Sequence, residues 1–176
     1  VVKEERRLRT DDKPRSLVVE QLMAAAFQAH PYRRPVIGWM SDLDNMTAQD
    51  ARDWYQRWYV PNNATLVVVG DFDEAHLLEV VARHYGAIPP ATLPTPPALT
   101  EPAQDGERVL RARKPIGTDR ILLGYKAPGQ GDPDWPVLEV VATLLAGSPS
   151  ARLYRRLVVE RELCSSIDAQ LTPFRE

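Results

Sequence analysis

A proline-rich segment divides this 176-residue chain and limits what it can fold into. Residues 89–102 contain six prolines and neither a glycine nor an aromatic residue. Because proline fixes φ and removes a backbone donor, such a segment forms a stiff, extended connection and not a helix or a central strand. We therefore predict that residues 89–106 are a linker between two partial α+β units, residues 1–88 and 107–176.

The composition is that of a globular protein and excludes several classes of function. Hydrophobic residues make up 44% of the chain and charged residues 26%, which is too apolar for a disordered segment. The formal charge of −2 provides no basic surface for nucleic acid, so we expect no nucleic-acid partner. The single cysteine, Cys164, excludes an internal disulfide and a cysteine-built zinc site. No apolar run approaches the roughly 18 residues of a membrane span.

Helices and strands alternate in the predicted secondary structure. Apolar periodicity and capping residues predict helices at residues 1–9, 16–29, 47–59, 73–85, 134–146 and 150–161. Apolar, β-branched runs predict strands at residues 64–70, 107–113 and 119–125, and a last strand that begins near Cys164. Residues 36–46 lack either pattern and are predicted to form a loop.

Capping signals predict where several helices begin and end. Thr10-Asp11-Asp12 can cap the second helix, with Pro14 in its first turn. Thr47 and Asp50 have the spacing of a capping box. Asp71 or Asp73 is expected to cap the helix at 73–85, and Gly86 to end it.

Glu5 is the first candidate functional residue. At about 100° per residue, Val1, Val2 and Leu8 lie on one face of the first helix, and Glu5 falls near the centre of that face. A carboxylate in the middle of a buried apolar stripe must be paired, protonated or bound to a cation. Glu5 is therefore a candidate metal ligand, whereas Glu4 lies nearly a right angle away.

Several short motifs follow one another in a specific order and spacing along the chain. Among them are Val1-Val2-Lys3-Glu4-Glu5, His30-Pro31-Tyr32, the run from Pro61 to Asp71, Asp132-Pro133-Asp134-Trp135-Pro136 and Ser150-Ala151-Arg152-Leu153-Tyr154. This succession resembles the pitrilysin/insulinase family of zinc metallopeptidases. The resemblance implies an α+β fold with antiparallel sheets and helices packed on one face. It also implies parts of two homologous domains, the C-terminal part of a zinc domain at 1–88 and the N-terminal part of a metal-free, inactive domain at 107–176.

The resemblance also implies a zinc site and assigns Glu5 to it. The family's metal is bound by a His-x-x-Glu-His helix, whose Glu is the general base, and by a downstream carboxylate that corresponds to Glu5. Hydrolysis of a peptide then proceeds through a zinc-activated water. None of the three histidines, His30, His76 and His84, forms that motif. We therefore expect both imidazole ligands and the base to lie upstream, and this chain alone to be inactive.

Substrate binding in the family uses an Arg and a Tyr, seven residues apart, which hold the peptide backbone. Aligned on Ser150 to Tyr154, these positions fall on Val158 and Ser165, so this chain does not supply the pair. The resemblance therefore implies a peptide or unfolded protein substrate and a second subunit of the same fold that carries the pair. The alternative is a non-catalytic structural or assembly subunit of the same fold.

Overall fold

Helices dominate the architecture of the chain. The computed structural model describes residues 1–174, so the last two residues of the predicted 107–176 unit lie outside it. The α-helices are α1 (Val2–Arg6), α2 (Pro14–Ala26), α3 (Met40–Asn45), α4 (Ala48–Trp58), α5 (Glu74–Tyr85) and α6 (Trp135–Ala146). Two π-helical segments, Arg7–Asp11 and Tyr154–Glu160, and two 3₁₀ turns, Pro31–Arg33 and Pro61–Asn63, accompany them. None of the helices in this part of the chain combines the length and apolar composition needed to traverse a membrane.

Local capping chemistry fixes the ends of the middle helices as the sequence predicts. Thr47 and Asp50 form the predicted capping box at the start of α4, because the Asp50 amide donates to Thr47 Oγ1 at 3.2 Å and the Thr47 amide donates to Asp50 Oδ2 at 2.7 Å. Asp73 Oδ1 accepts the His76 amide at 2.7 Å and caps α5, which ends at Gly86. These predictions are confirmed.

The start of α2 and the region before α4 differ from expectation. The first helix continues as a π-helix to Asp11, so Thr10 and Asp11 are themselves helical and cannot cap α2. Lys13 occupies the N-cap position instead and makes no side-chain capping bond. The loop predicted at residues 36–46 contains α3, so that part of the prediction is wrong.

The predicted α+β fold with antiparallel sheets is wrong, since no β-strand forms anywhere in residues 1–174. The four predicted strands have extended or irregular backbone instead. A strand exists only when a neighbouring strand receives its backbone hydrogen bonds, and a β-branched composition does not supply that neighbour. In residues 64–70, whose apolar composition predicts a buried strand, Val67 is 75% exposed and Val69 is 91% exposed.

The chain divides into two compact units, residues 1–122 and 123–176. In the first unit α1 and its π-helical continuation pack with α2 and α3, and the buried residues there are both polar, Arg6 and Thr10. In the second unit the buried residues are Ala146, at the end of α6, and Ala151. The first unit therefore owes its cohesion near α1 to polar contacts more than to an apolar core.

Candidate zinc-ligand helix

Glu5 lies on α1 with its carboxylate partly open to solvent. Its side chain is 41% exposed, and one carboxylate oxygen forms an ion pair with Arg9 Nη2 at 3.0 Å across one helical turn. An exposed pair at this spacing contributes only about 0.3–0.5 kcal/mol, so a cation can displace Arg9 at little cost. Glu5 is thus able to supply one oxygen ligand, which is what a single carboxylate contributes to a zinc site.

The apolar face predicted around Glu5 is not buried in the described chain. Val1, Val2 and Leu8 are all exposed. The neighbouring elements contact α1 on the side of Lys3 and Arg6, and Arg6 is displaced from Glu5 by about 100° on the helix. The expected burial is wrong for this reason, and Glu5 lies on an anchored helix with its own side chain partly exposed.

Arg6 provides the main anchor of α1. Its Nη1 and Nη2 atoms donate to Glu20 Oε2 and Oε1, each at 2.9 Å, and Nη1 also donates to the Gly38 carbonyl at 2.7 Å. The Arg6 and Glu20 side chains are only 6% and 8% exposed. Asp11 lies 3.4 Å from Arg6 Nη2, and the guanidinium carbon lies 5.9 Å from the centre of the Trp39 ring. One side chain therefore joins α1, α2 and the turn before α3.

The electrostatics of this cluster keep Arg6 charged. Its hydrogen bonds to Glu20 raise the pKa of Arg6 above the usual value, against the opposing effect of burial, and the charges of Glu20 and Asp11 act in the same direction as the hydrogen bonds. Paired, bidentate geometry of this kind is what makes a buried arginine tolerable.

Gly38 presents the carbonyl that Arg6 binds. Its φ of +82° lies in the left-handed region, and its amide closes a turn by donating to the Pro35 carbonyl at 2.9 Å. Residues with a Cβ are disfavoured in this conformation, so the glycine sets the direction of the chain at this point. On the same side of α1 as Arg6, Lys3 Nζ pairs with Asp44 of α3 at 2.7 Å, and both side chains are exposed.

A second polar cluster surrounds the C-terminal end of α2. The Glu101 carboxylate accepts the amides of Gln28, Ala29 and His30 at 2.8–3.1 Å. Arg108 Nη1 donates to the last carbonyls of the helix, those of Ala25 and Ala26, at 2.7 and 3.0 Å. Arg108 therefore contacts the end of α2, and Glu101 contacts the residues that directly follow it.

None of the three histidines lies on α1 with Glu5. His30 follows α2, where its Nδ1 accepts the Tyr32 amide at 3.3 Å, and the two rings lie 4.4 Å apart. His76 and His84 are exposed on α5. Within residues 1–174 no group of three or more His, Cys, Asp or Glu side chains has the arrangement of a metal site.

The sequence did not point to the anchor of the candidate ligand. The neighbouring acids and arginines of Glu4-Glu5-Arg6-Arg7 are typical of a solvated helix face, yet Arg6 is buried. No local signal joins Arg6 to Glu20 or to Gly38, since the three residues are far apart in the sequence and meet only when α1 and its π-helical continuation pack with α2 and α3.

Comparisons with known proteins place this chain in a family. A family model described as the Peptidase M16 inactive domain matches residues 45–176. The chain is 33% identical over 169 residues to zinc protease PqqE of Helicobacter pylori, a match that covers 94% of this chain and 38% of that protein. It is 29% identical over 178 residues to the uncharacterized zinc protease ML0855 of Mycobacterium leprae, covering 100% of this chain and 40% of that protein.

A solved structure extends the likeness to three dimensions. The crystal structure of a protease from Helicobacter pylori matches with a TM-score of 0.76 and 31% identity, over 99% of this chain and 43% of that one. The chain belongs to the M16 family of zinc metallopeptidases, which confirms the predicted membership of the pitrilysin/insulinase family. It spans about two fifths of the length of these relatives.

Proposed function

We propose that this chain is part of a zinc-dependent metalloendopeptidase in which Glu5 is the carboxylate ligand of the metal. The observation that carries the proposal is the position of Glu5 on a helix that is anchored at Arg6 and Lys3 while its own carboxylate remains accessible. A zinc ion held there would supply a water of lowered pKa for attack on a peptide carbonyl. Membership of the M16 family and the names of the zinc proteases among its relatives support this reading.

The proposed enzyme needs several groups that this chain does not contain. The two imidazole ligands and the general base come from sequence outside these 176 residues, so the chain alone is inactive. Residues 1–88 belong to the zinc domain, residues 89–106 are the linker and residues 107–176 belong to a metal-free sister domain. Val158 and Ser165 stand where a substrate-holding pair is required, so a second subunit of the same fold supplies that pair to a peptide or unfolded substrate.

A non-catalytic assembly subunit of the same fold is the second candidate. The observation that favours it is the ion pair of Glu5 with Arg9, since the carboxylate then has a partner without any metal. The two functions differ in metal content, since only the peptidase requires zinc at Glu5.

The test is the Glu5→Gln variant of the full-length protein that contains this chain. Loss of the anionic ligand is expected to weaken zinc binding at least tenfold, the lower end of the roughly 10–100-fold effect of altering groups around a metal. Zinc is measured by metal analysis after dialysis against a chelator, and peptide cleavage is measured in parallel. Glu4→Gln is the matched control, because Glu4 is exposed, lies one residue away and pairs with the exposed Arg7 in the same turn. Unchanged zinc content in Glu5→Gln would reject the peptidase proposal.

A further inference from the structure

Arg6 lies one residue from the candidate ligand and is the best-buried side chain of the helix that carries it. It binds Glu20 of α2 through two parallel hydrogen bonds and the Gly38 carbonyl through a third. The remaining link from α1 to another element described above, Lys3 to Asp44, is exposed at both ends. Since exposed pairs contribute little, the orientation of α1 depends mainly on Arg6.

The orientation of a helix this short is not fixed by its own backbone. α1 and its π-helical continuation together span Val2 to Asp11, and helices of this length are marginal in isolation. A planar guanidinium that meets both oxygens of one carboxylate restricts rotation about the helix axis as well as separation from α2, which a lysine ammonium cannot do. The Arg6–Glu20 pair therefore sets the direction in which the neighbouring Glu5 side chain points.

Small rotations of α1 matter for a metal ligand. The ends of helical side chains lie about 5–6 Å from the helix axis, so a rotation of ~10° moves the Glu5 carboxylate by about 1 Å. Metal–ligand distances tolerate only about 0.2 Å. A helix free to rotate by this amount could not present Glu5 to zinc in a constant geometry.

We propose that Arg6, through its two hydrogen bonds to Glu20, is the positioning residue that orients Glu5 toward the metal. This inference rests on the proposed role of Glu5 as a zinc ligand. Arg6 does not touch metal or substrate, and it acts only by fixing the rotation of α1. Glu20 and the Gly38 carbonyl are its partners in that role.

The experiment compares Arg6→Lys and Glu20→Gln with Glu5→Gln in the full-length protein. Zinc affinity is measured by competition with a chromophoric chelator, and the protein reconstituted with Co²⁺ reports the ligand geometry through its visible absorption spectrum. Thermal unfolding of the metal-free protein is recorded separately. Arg6→Lys retains the positive charge but cannot form both parallel hydrogen bonds to Glu20. Glu20→Gln retains the shape of the side chain but keeps only one oxygen that can accept from Arg6. Each is expected to weaken zinc binding about tenfold and to alter the Co²⁺ spectrum.

Two controls separate positioning from stability. Arg7→Lys changes the exposed arginine next to Arg6 and is expected to leave affinity and spectrum unchanged. Thr10→Ser removes a methyl group from the other buried residue of this helix and destabilises the same packing while leaving the Arg6–Glu20 contact in place. It is expected to lower the unfolding temperature with zinc affinity and Co²⁺ spectrum retained.

The outcomes are distinguishable. If Arg6→Lys and Glu20→Gln lower the unfolding temperature yet bind zinc as the parent does, with the parent Co²⁺ spectrum, Arg6 is merely structural and the inference is overturned. Should Arg6→Lys fail to fold, Glu20→Gln alone decides. If Glu5→Gln itself leaves zinc binding unchanged, the proposed function fails, and the positioning role fails with it.

Discussion

Replacing Glu20 by alanine removes both oxygens that accept the Arg6 guanidinium at 2.9 Å. The arginine then remains buried, with the Gly38 carbonyl at 2.7 Å and Asp11 at 3.4 Å as its remaining partners. Breaking a buried ion pair on one side costs about 3–5 kcal/mol, because an uncompensated charge is left behind. Since two partial partners survive, we expect the lower end of that range, a loss of about 3 kcal/mol in the free energy of unfolding.

The exposed pair in the same helix provides the matched comparison. Glu4→Ala removes the partner of Arg7, and both of those side chains are exposed, so the expected loss is below about 1 kcal/mol. A double variant, Arg6→Met with Glu20→Met, removes both charges together and is expected to be more stable than Glu20→Ala, since no unpaired charge remains.

The assay is urea unfolding followed by far-ultraviolet circular dichroism for all four proteins under one condition. The order of stability should be parent and Glu4→Ala first, then the double methionine variant, and Glu20→Ala last. If Glu20→Ala is as stable as Glu4→Ala, the Arg6–Glu20 pair is not the anchor of α1, and the reasoning from its burial is refuted.

Two further predictions concern the other polar contacts of the first unit. Hydrogen bonds from the Thr47 hydroxyl and amide lower the pKa of Asp50 below its ordinary value of 3.8, so the stabilisation they give to α4 is present above that value and is lost as the pH falls through the lowered pKa. Nuclear magnetic resonance titration should show a depressed Asp50 midpoint that rises in Thr47→Ala; an ordinary midpoint in the parent would contradict this. Glu101→Gln removes the charge that accepts the amides of residues 28–30, and hydrogen exchange at those amides should accelerate. Glu107→Gln changes an exposed residue six positions later and should leave the exchange rates of these amides unchanged. If the amides exchange at equal rates in Glu101→Gln and Glu107→Gln, the Glu101 contact does not protect them.

Helix ends were predictable from the sequence where the capping groups are close in the chain. Thr47 and Asp50 are three residues apart, and Asp73 caps an amide three residues later, so both contacts are complete within one turn. Gly86 and Gly147 are the C-cap residues of α5 and α6, so the residue that ends each helix directly follows it in the sequence. Such contacts need no information about the rest of the fold.

The prediction failed where the contacts are distant. The β-branched run at residues 64–70 has the composition of a buried strand, but pairing requires a second backbone that composition does not specify. The same limit applies to Glu5, whose place on a helix was predictable and whose surroundings were not. The side of α1 that faces the rest of the unit was assigned to apolar residues by periodicity, yet it is occupied by Lys3 and Arg6.

The sequence by itself determined the family, the positions of most helices and the identity of the candidate ligand, because these depend on motif order and on interactions within a few residues. Only the tertiary structure decided which charge of Glu4-Glu5-Arg6-Arg7 is buried. That choice depends on the packing of α1 and its π-helical continuation against α2, which brings Arg6 to Glu20 across fourteen residues of sequence separation. The free energy of this contact comes from a guanidinium and a carboxylate that are far apart in the sequence, so the contact is specified only when the chain folds.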